Sequence, residues 1–215
     1  MKCEYGVWFP DREKHLVMML SNSPRIDGKG TYQTPKLFAA LKHVKHFRRA
    51  LDVGMHVGLW ATHLVKRFEF VEGFEPVPEH RECLQRNMDG VKNWCVHECA
   101  LGEREQRVGL RPLVDSTGST QVEPSVDQGI QMYPLDHFEF DHVDFIKIDV
   151  EGYEYYVVKG GEQIIKKHKP VIVIEQKPKG KAEHFGQHRF AAKQLLESWG
   201  AKTQFEMSGD FCLAW

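Results

Sequence analysis

The feature that most constrains the fold is the run Leu51-Asp52-Val53-Gly54-Met55-His56-Val57-Gly58, which joins a short apolar segment at 49–53 to a segment of helical spacing at 57–67. Gly54 can adopt a positive φ and let the backbone approach a ligand, and Gly58 can relieve crowding where a helix meets a sheet. A turn of this kind between a strand and a helix is a ligand cradle. Asp52 can hold the turn or meet a positively charged ligand group. Glu75 lies 21 positions beyond Gly54, at the end of the next predicted strand. An acidic group there can accept hydrogen bonds from both hydroxyls of a ribose. Gly54 and Gly58 do not make the denser G-x-G-x-x-G pattern, which weighs against a nicotinamide dinucleotide enzyme.

The rest of the chain extends this strand-turn-helix unit. Spacing predicts strands at 49–53, 70–75, 94–101, 143–150 and 170–176, with helices at 36–47, 57–67, 79–88, 153–167 and 189–199. Alternation of this kind argues for a mostly parallel sheet covered by helices. Two further strands, 202–207 and 211–215, flank Ser208-Gly209-Asp210 and make an antiparallel terminal hairpin. Residues 1–35, broken by Pro10, Pro24, Gly28, Gly30 and Pro35, are expected to form a flap or wrap on one domain, 36–215. Residues 104–113 read as an added strand or hairpin. The Ser-, Thr- and Gly-rich stretch 115–129 reads as a loop, either covering a ligand or linking two elements.

Composition narrows the partners. The 29 Lys and Arg nearly balance 30 Asp and Glu, so no general attraction to nucleic acid or an anionic membrane is expected. No run of 18 apolar residues and no secretory leader pattern appear, and a soluble intracellular protein is the expectation. The five cysteines form no C-x-x-C pair and suggest reduced thiols.

The ordered series DVGMHVG (52–58), GFEPVPEH (73–80), CALGE (99–103), PLDHF (134–138), FIKIDVEGYEYYVVKGG (145–161) and VIVIEQ (171–176) resembles the FkbM family of S-adenosylmethionine-dependent methyltransferases across most of 34–215. The resemblance implies a single-domain α/β fold of the class I methyltransferase type, its seven-stranded sheet mostly parallel with an antiparallel C-terminal strand. It also implies S-adenosylmethionine as cofactor and O-methylation of a small molecule or glycan. Carried onto this chain, it places Asp52, Gly54 and Gly58 at the methionine end and Glu75 at the ribose. His56 and Met55 stand where the family usually has Asn and Ala, and His56 can replace a polar contact. Ala100 and Leu101 would flank the adenine, with Ser119 and Thr120 near the adenosine.

The sulfonium of such a cofactor already carries an activated methyl group, so the protein must align the acceptor, exclude competing reactions and remove a proton. The candidate edge is Lys147-Ile148-Asp149-Val150-Glu151-Gly152. Two-residue alternation puts Lys147, Asp149 and Glu151 on one side of a strand. Either carboxylate can orient the acceptor, take its proton or hold the cofactor's amino group, while Lys147 can pair with them or stabilise an alkoxide-like state. Glu175 should emerge at the carboxyl edge of the next buried strand as a further acceptor or base residue. Asp136 braces the substrate side or caps a helix.

Asp149, Glu151 and Glu175 are hard oxygen ligands, but no metal is expected from their spacing alone. The expected acceptor is a hydroxylated small molecule or carbohydrate. RNA methylation is the second reading, on the basic stretches 166–169 and 177–181. The absence of an Asn-Pro-Pro-Tyr or Asp-Pro-Pro-Tyr segment argues against attack by a base amino group. A non-catalytic scaffold that binds an S-adenosyl ligand is the third.

Overall fold

A computed structural model describes residues 1–113, 116–124, 129–176 and 181–215. The chain opens with a hairpin, β1 (Lys2–Glu4) and β2 (Val7–Phe9), then α1 (His15–Ser21), a smaller hairpin of β3 (Arg25–Ile26) and β4 (Lys29–Gly30), and α2 (Thr34–Leu41). The cradle unit follows as β5 (Arg49–Val53), α3 (Ala61–Leu64), β6 (Phe70–Phe74), α4 (Pro78–Asn87) and β7 (Trp94–His97). Four short strands come next: β8 (Ala100–Gly102), β9 (Gln106–Leu113), β10 (Ser116–Pro124) and β11 (Ile130–Pro134). After a 3-10 turn, Leu135–His137, come β12 (Phe145–Ile148), α5 (Glu154–Gly160), α6 (Glu162–His168) and β13 (Val171–Glu175). The chain ends with α7 (Lys181–His184), α8 (Ala191–Ser198), β14 (Lys202–Met207) and β15 (Asp210–Ala214).

Seven strands form one sheet in the order β14-β15-β13-β12-β5-β6-β7. Neighbours from β13 to β7 pair in parallel, whereas β15 runs antiparallel to both β13 and β14. Both faces are buried. Leu51, Val53, Ile146, Ile148, Ile172 and Ile174 pack on one side with Val157, Val158 and Leu196 of α5 and α8. Ala50, Phe145, Val171 and Val173 face the other side with Leu37, Leu64 and Leu84. Two-sided burial explains the uninterrupted apolar run from Val171 to Ile174.

Four predicted elements change. The helix expected at 36–47 stops at Leu41, and the one expected at 57–67 is α-helical only over Ala61–Leu64. The segment 94–101 divides, because β7 joins the main sheet while β8 pairs with β11 in a separate four-stranded sheet, β10-β9-β11-β8. The helix expected at 153–167 breaks at Gly161. A Cβ on Gly160 would lie 1.9 Å from the Gly102 carbonyl oxygen, and one on Gly161 would lie 2.9 Å from Leu135 Cδ2. The two glycines let this hinge sit against β8 and the 3-10 turn.

The largest correction concerns 115–129. Residues 116–124 are a strand antiparallel to β9 rather than a loop; Asp115 and residues 125–128 lie outside the described residues. Thr117 and Gln121 are polar yet buried, because each finds a hydrogen-bond partner inside: Thr117 meets Glu13, and Gln121 Nε2 donates to the Glu151 carbonyl. Polarity here marks internal pairing, not exposure.

Candidate active site

The first strand of the cradle, β5, is central: β6 and β7 extend the sheet to one side, β12 and β13 to the other. Strand order reverses there, which opens a crevice beyond the carboxyl ends of β5 and β12. Gly54 (φ 79°) closes the crevice floor. A Cβ on it would lie 2.0 Å from the Asp149 carbonyl oxygen, so only glycine lets the two strand ends approach this closely. Gly54 and Met55 both donate their backbone N–H to the Phe74 carbonyl, at 3.0 and 3.2 Å. Gly58 lies away from the crevice, and its missing Cβ makes room for Leu84 of α4.

Glu75 is buried at the end of β6, where three donors fix it. His56 N donates to Oε2 at 2.8 Å, Val77 N donates to Oε1 at 2.9 Å, and His80 Nδ1 lies 3.0 Å from Oε1. A narrow pocket beside it is lined by Gly54, His56, Glu75, Ala100, Leu101, Thr117, Thr120, Asp149 and Glu151. Ser119 faces the adjoining wider cavity instead, which also takes in Asp52, Gly54, His56, Lys147, Asp149, Glu151 and Glu175. That cavity has a volume of about 890 Å³.

The wider cavity holds an unbalanced set of buried polar groups. Asp52 is 1% exposed and, among the described residues, neither carboxylate oxygen has a hydrogen-bond partner; its nearest described cation is Lys147, with Nζ 3.6 Å from Oδ1. Burial pushes the Asp52 carboxyl up to about 6 against the pull of Lys147. Lys147 Nζ is also 3.4 Å from Asp149 Oδ2. Burial alone would lower the lysine, but Asp149, Asp52 and Glu175 carry it above its usual range, so it remains an ammonium. The Trp60 ring lies 5.6 Å from the same Nζ, and Trp60 Nε1 is buried with no acceptor among the described residues.

Across the cavity, Lys181 Nζ pairs with Glu151 Oε2 and lies 3.7 Å from Glu175 Oε2. The Glu151 backbone takes a positive φ of 60°. Its turn is held by Gln121 and by the buried Glu154, whose Oε1 accepts from Val150 N and Gly152 N at 3.2 and 3.0 Å. Ligand oxygens of Asp149, Glu151 and Glu175 come within 4.8 Å of one another. The ammonium groups of Lys147 and Lys181 stand among these carboxylates. Tyr32 closes the same cavity, its phenol held protonated by burial and by the carboxylates of Asp149, Glu175, Asp210 and Glu151.

A family model for the methyltransferase FkbM domain matches residues 52–202. The chain belongs to the FkbM methyltransferase family. No curated protein matches it. Among solved structures, the FkbM methyltransferase of Methylobacillus flagellatus KT is 22% identical with a TM-score of 0.52, over 77% of this chain and 42% of that one. This chain thus spans less than half of that protein. SMU.1697c of Streptococcus mutans, solved in complex with SAH, is 8% identical with a TM-score of 0.52, over 85% and 96%. Precorrin 8w decarboxylase of Methanobacterium thermoautotrophicum is 14% identical with a TM-score of 0.50, over 91% and 94%. At these identities the likeness is one of fold: a seven-stranded, mostly parallel sheet with an antiparallel C-terminal strand.

Within this FkbM domain, every site residue expected from the sequence except Gly58 lines the crevice. Asp136 does not belong to it. Its two oxygens accept from Gln163 N and Ile164 N, both at 2.9 Å, so it caps α6. Sequence reasoning missed Tyr32, Trp60, Lys181 and Lys36, the last lining the wider cavity with its Nζ 2.6 Å from Asp210 Oδ2. Trp60 follows Gly58 by two positions and was available as a signal, whereas Lys181 was hidden in a basic stretch that reads as surface charge. Lys177, Lys179 and Gly180 of that stretch lie outside the described residues, and no helix among those described is long and apolar enough to cross a membrane.

Proposed function

We propose that this FkbM-family protein transfers the methyl group of S-adenosylmethionine to a hydroxyl oxygen of a sugar, glycan or small metabolite. The observation that carries the reading is the set of buried polar groups beside the cradle whose hydrogen bonding is incomplete among the described residues. Among the described residues neither Asp52 oxygen has a hydrogen-bond donor and Trp60 Nε1 has no acceptor; Lys147 lies close to both side chains. A zwitterionic amino-acid group complements this set, its ammonium on Asp52 and its carboxylate on Trp60 and Lys147. Glu75 then takes the ribose hydroxyls, while Ala100 and Leu101 flank the adenine with Thr120, and Ser119 reaches in from the wider side. When bound, the cofactor supplies a sulfonium methyl, so no residue of the chain need form a covalent intermediate.

The chain's own residues do the rest. Asp149, Glu151 and Glu175 orient the acceptor hydroxyl, and one of them takes its proton directly or through water. Lys147 and Lys181 offset the mutual repulsion of these carboxylates and the charge developing on the oxygen. The cavity of about 890 Å³ is large enough for a sugar-sized acceptor beside the cofactor. The test is a transfer screen with isotopically labelled S-adenosylmethionine against pools of hydroxylated metabolites, carbohydrates and short RNA. Mass spectrometry should place the label on oxygen in a non-nucleic-acid product. Efficient, site-specific labelling of RNA with the other pools inert would overturn the acceptor class and leave the methyltransferase assignment standing.

A further inference from the structure

We propose that Glu13 and Thr117 are positioning residues that fix the His56 imidazole as its Nε2–H tautomer, so that Nδ1 faces the cofactor pocket as a hydrogen-bond acceptor. Glu13 is fully buried although it precedes the family-matched region. Leu16 N donates to its Oε1 at 2.7 Å, and Thr117 N donates to its Oε2 at 2.7 Å. Thr117 Oγ1 lies 2.5 Å from the same Oε2. A carboxylate only accepts, so the Thr117 hydroxyl spends its one proton on Glu13. Toward His56, Thr117 Oγ1 then offers only a lone pair.

His56 Nε2 lies 2.8 Å from that oxygen and must therefore carry the hydrogen. Burial, followed by the neighbouring His80, Lys147 and Arg12, holds the imidazole well below its usual range, so the ring stays neutral. A neutral imidazole has one N–H, which leaves Nδ1 bare. The ring packs edge-on against His80 at 4.3 Å, and its residue lines both the narrow pocket and the wider cavity. Because His56 N is tied to Glu75, this acceptor stands beside the carboxylate proposed for the ribose and meets a further donor group of the adenosyl ligand. This last step rests on the proposed cofactor; the tautomer does not.

Long-range proton–nitrogen NMR of histidine-labelled protein, with calorimetry of S-adenosylhomocysteine, tests the chain of inference. In the wild type, His56 Nε2 should show the shift of a protonated ring nitrogen and Nδ1 that of a bare one. Thr117→Val, which retains the backbone bond to Glu13, and Glu13→Gln should each mix the tautomers and weaken binding about tenfold. A wild-type ring protonated on Nδ1 overturns the proposal, as do folded variants that leave both the shifts and the affinity unchanged. Where Glu13→Gln fails to fold, Thr117→Val decides. Failure of the wild type to bind S-adenosylhomocysteine would strike the proposed function, and the tautomer would still decide the positioning of His56.

Discussion

Asp52 is held at a cost to the protein that contains it. Its carboxyl is buried, both oxygens lack hydrogen-bond donors among the described residues, and its value is raised from the ordinary 3.8 to about 6. The folded state therefore binds more protons than the unfolded state between these values, so stability present below about 4 is lost as pH rises through about 6. A shift of this size corresponds to roughly 2–3 kcal/mol at neutral pH. Asp52→Asn should accordingly stabilise the ligand-free protein by about 2 kcal/mol at pH 7, with the gain shrinking toward pH 4. The same variant should lose at least tenfold in S-adenosylhomocysteine affinity, and wild-type affinity should itself fall as pH drops below about 6. Thermal melts and calorimetry across pH 4–8 check both signs; a variant less stable at every pH would show that Asp52 serves the fold and not the ligand.

Among the elements, the sheet was legible in the sequence because two-sided burial writes itself as apolar runs, as at Val171 to Ile174, and because Gly54 marks the turn after β5. Strand β10 was not legible. Its inward residues Thr117 and Gln121 are polar and buried by pairing with Glu13 and the Glu151 turn, partners far away in sequence. Lys181 was hidden for the same reason, since a lysine in a basic stretch does not announce two carboxylates beside it. Gly160 shows the converse, a local preference overruled by packing. Helix propensity alone would make Gly160→Ala stabilising by up to about 1 kcal/mol. Here the added carbon would lie 1.9 Å from the Gly102 carbonyl oxygen and push α5 off β8, whose Ala100 and Leu101 wall the narrow pocket. The expected result is a loss of about 2 kcal/mol in urea unfolding, with weaker S-adenosylhomocysteine binding. A stabilised variant would refute this packing argument.

At the scale of the whole molecule, residues 52–202 carry the family match, while Tyr32 and Lys36, which precede it, line the wider cavity and the buried Glu13 holds Thr117 from behind. The cradle, the β8 wall of the narrow pocket and the carboxylate edge thus lie in the shared domain, and part of the wider cavity is lined by the chain before it. The central claim is that the crevice at the strand-order reversal is made for an S-adenosyl ligand, with Glu75 on the ribose and Asp52 on the amino-acid end. Titration calorimetry of S-adenosylmethionine, S-adenosylhomocysteine, NAD and ATP against the wild type and Glu75→Gln tests it most directly. Both S-adenosyl ligands should bind and NAD and ATP should not, with Glu75→Gln weakening binding by about 1–3 kcal/mol. Tight binding of NAD with no detectable binding of either S-adenosyl ligand would contradict it.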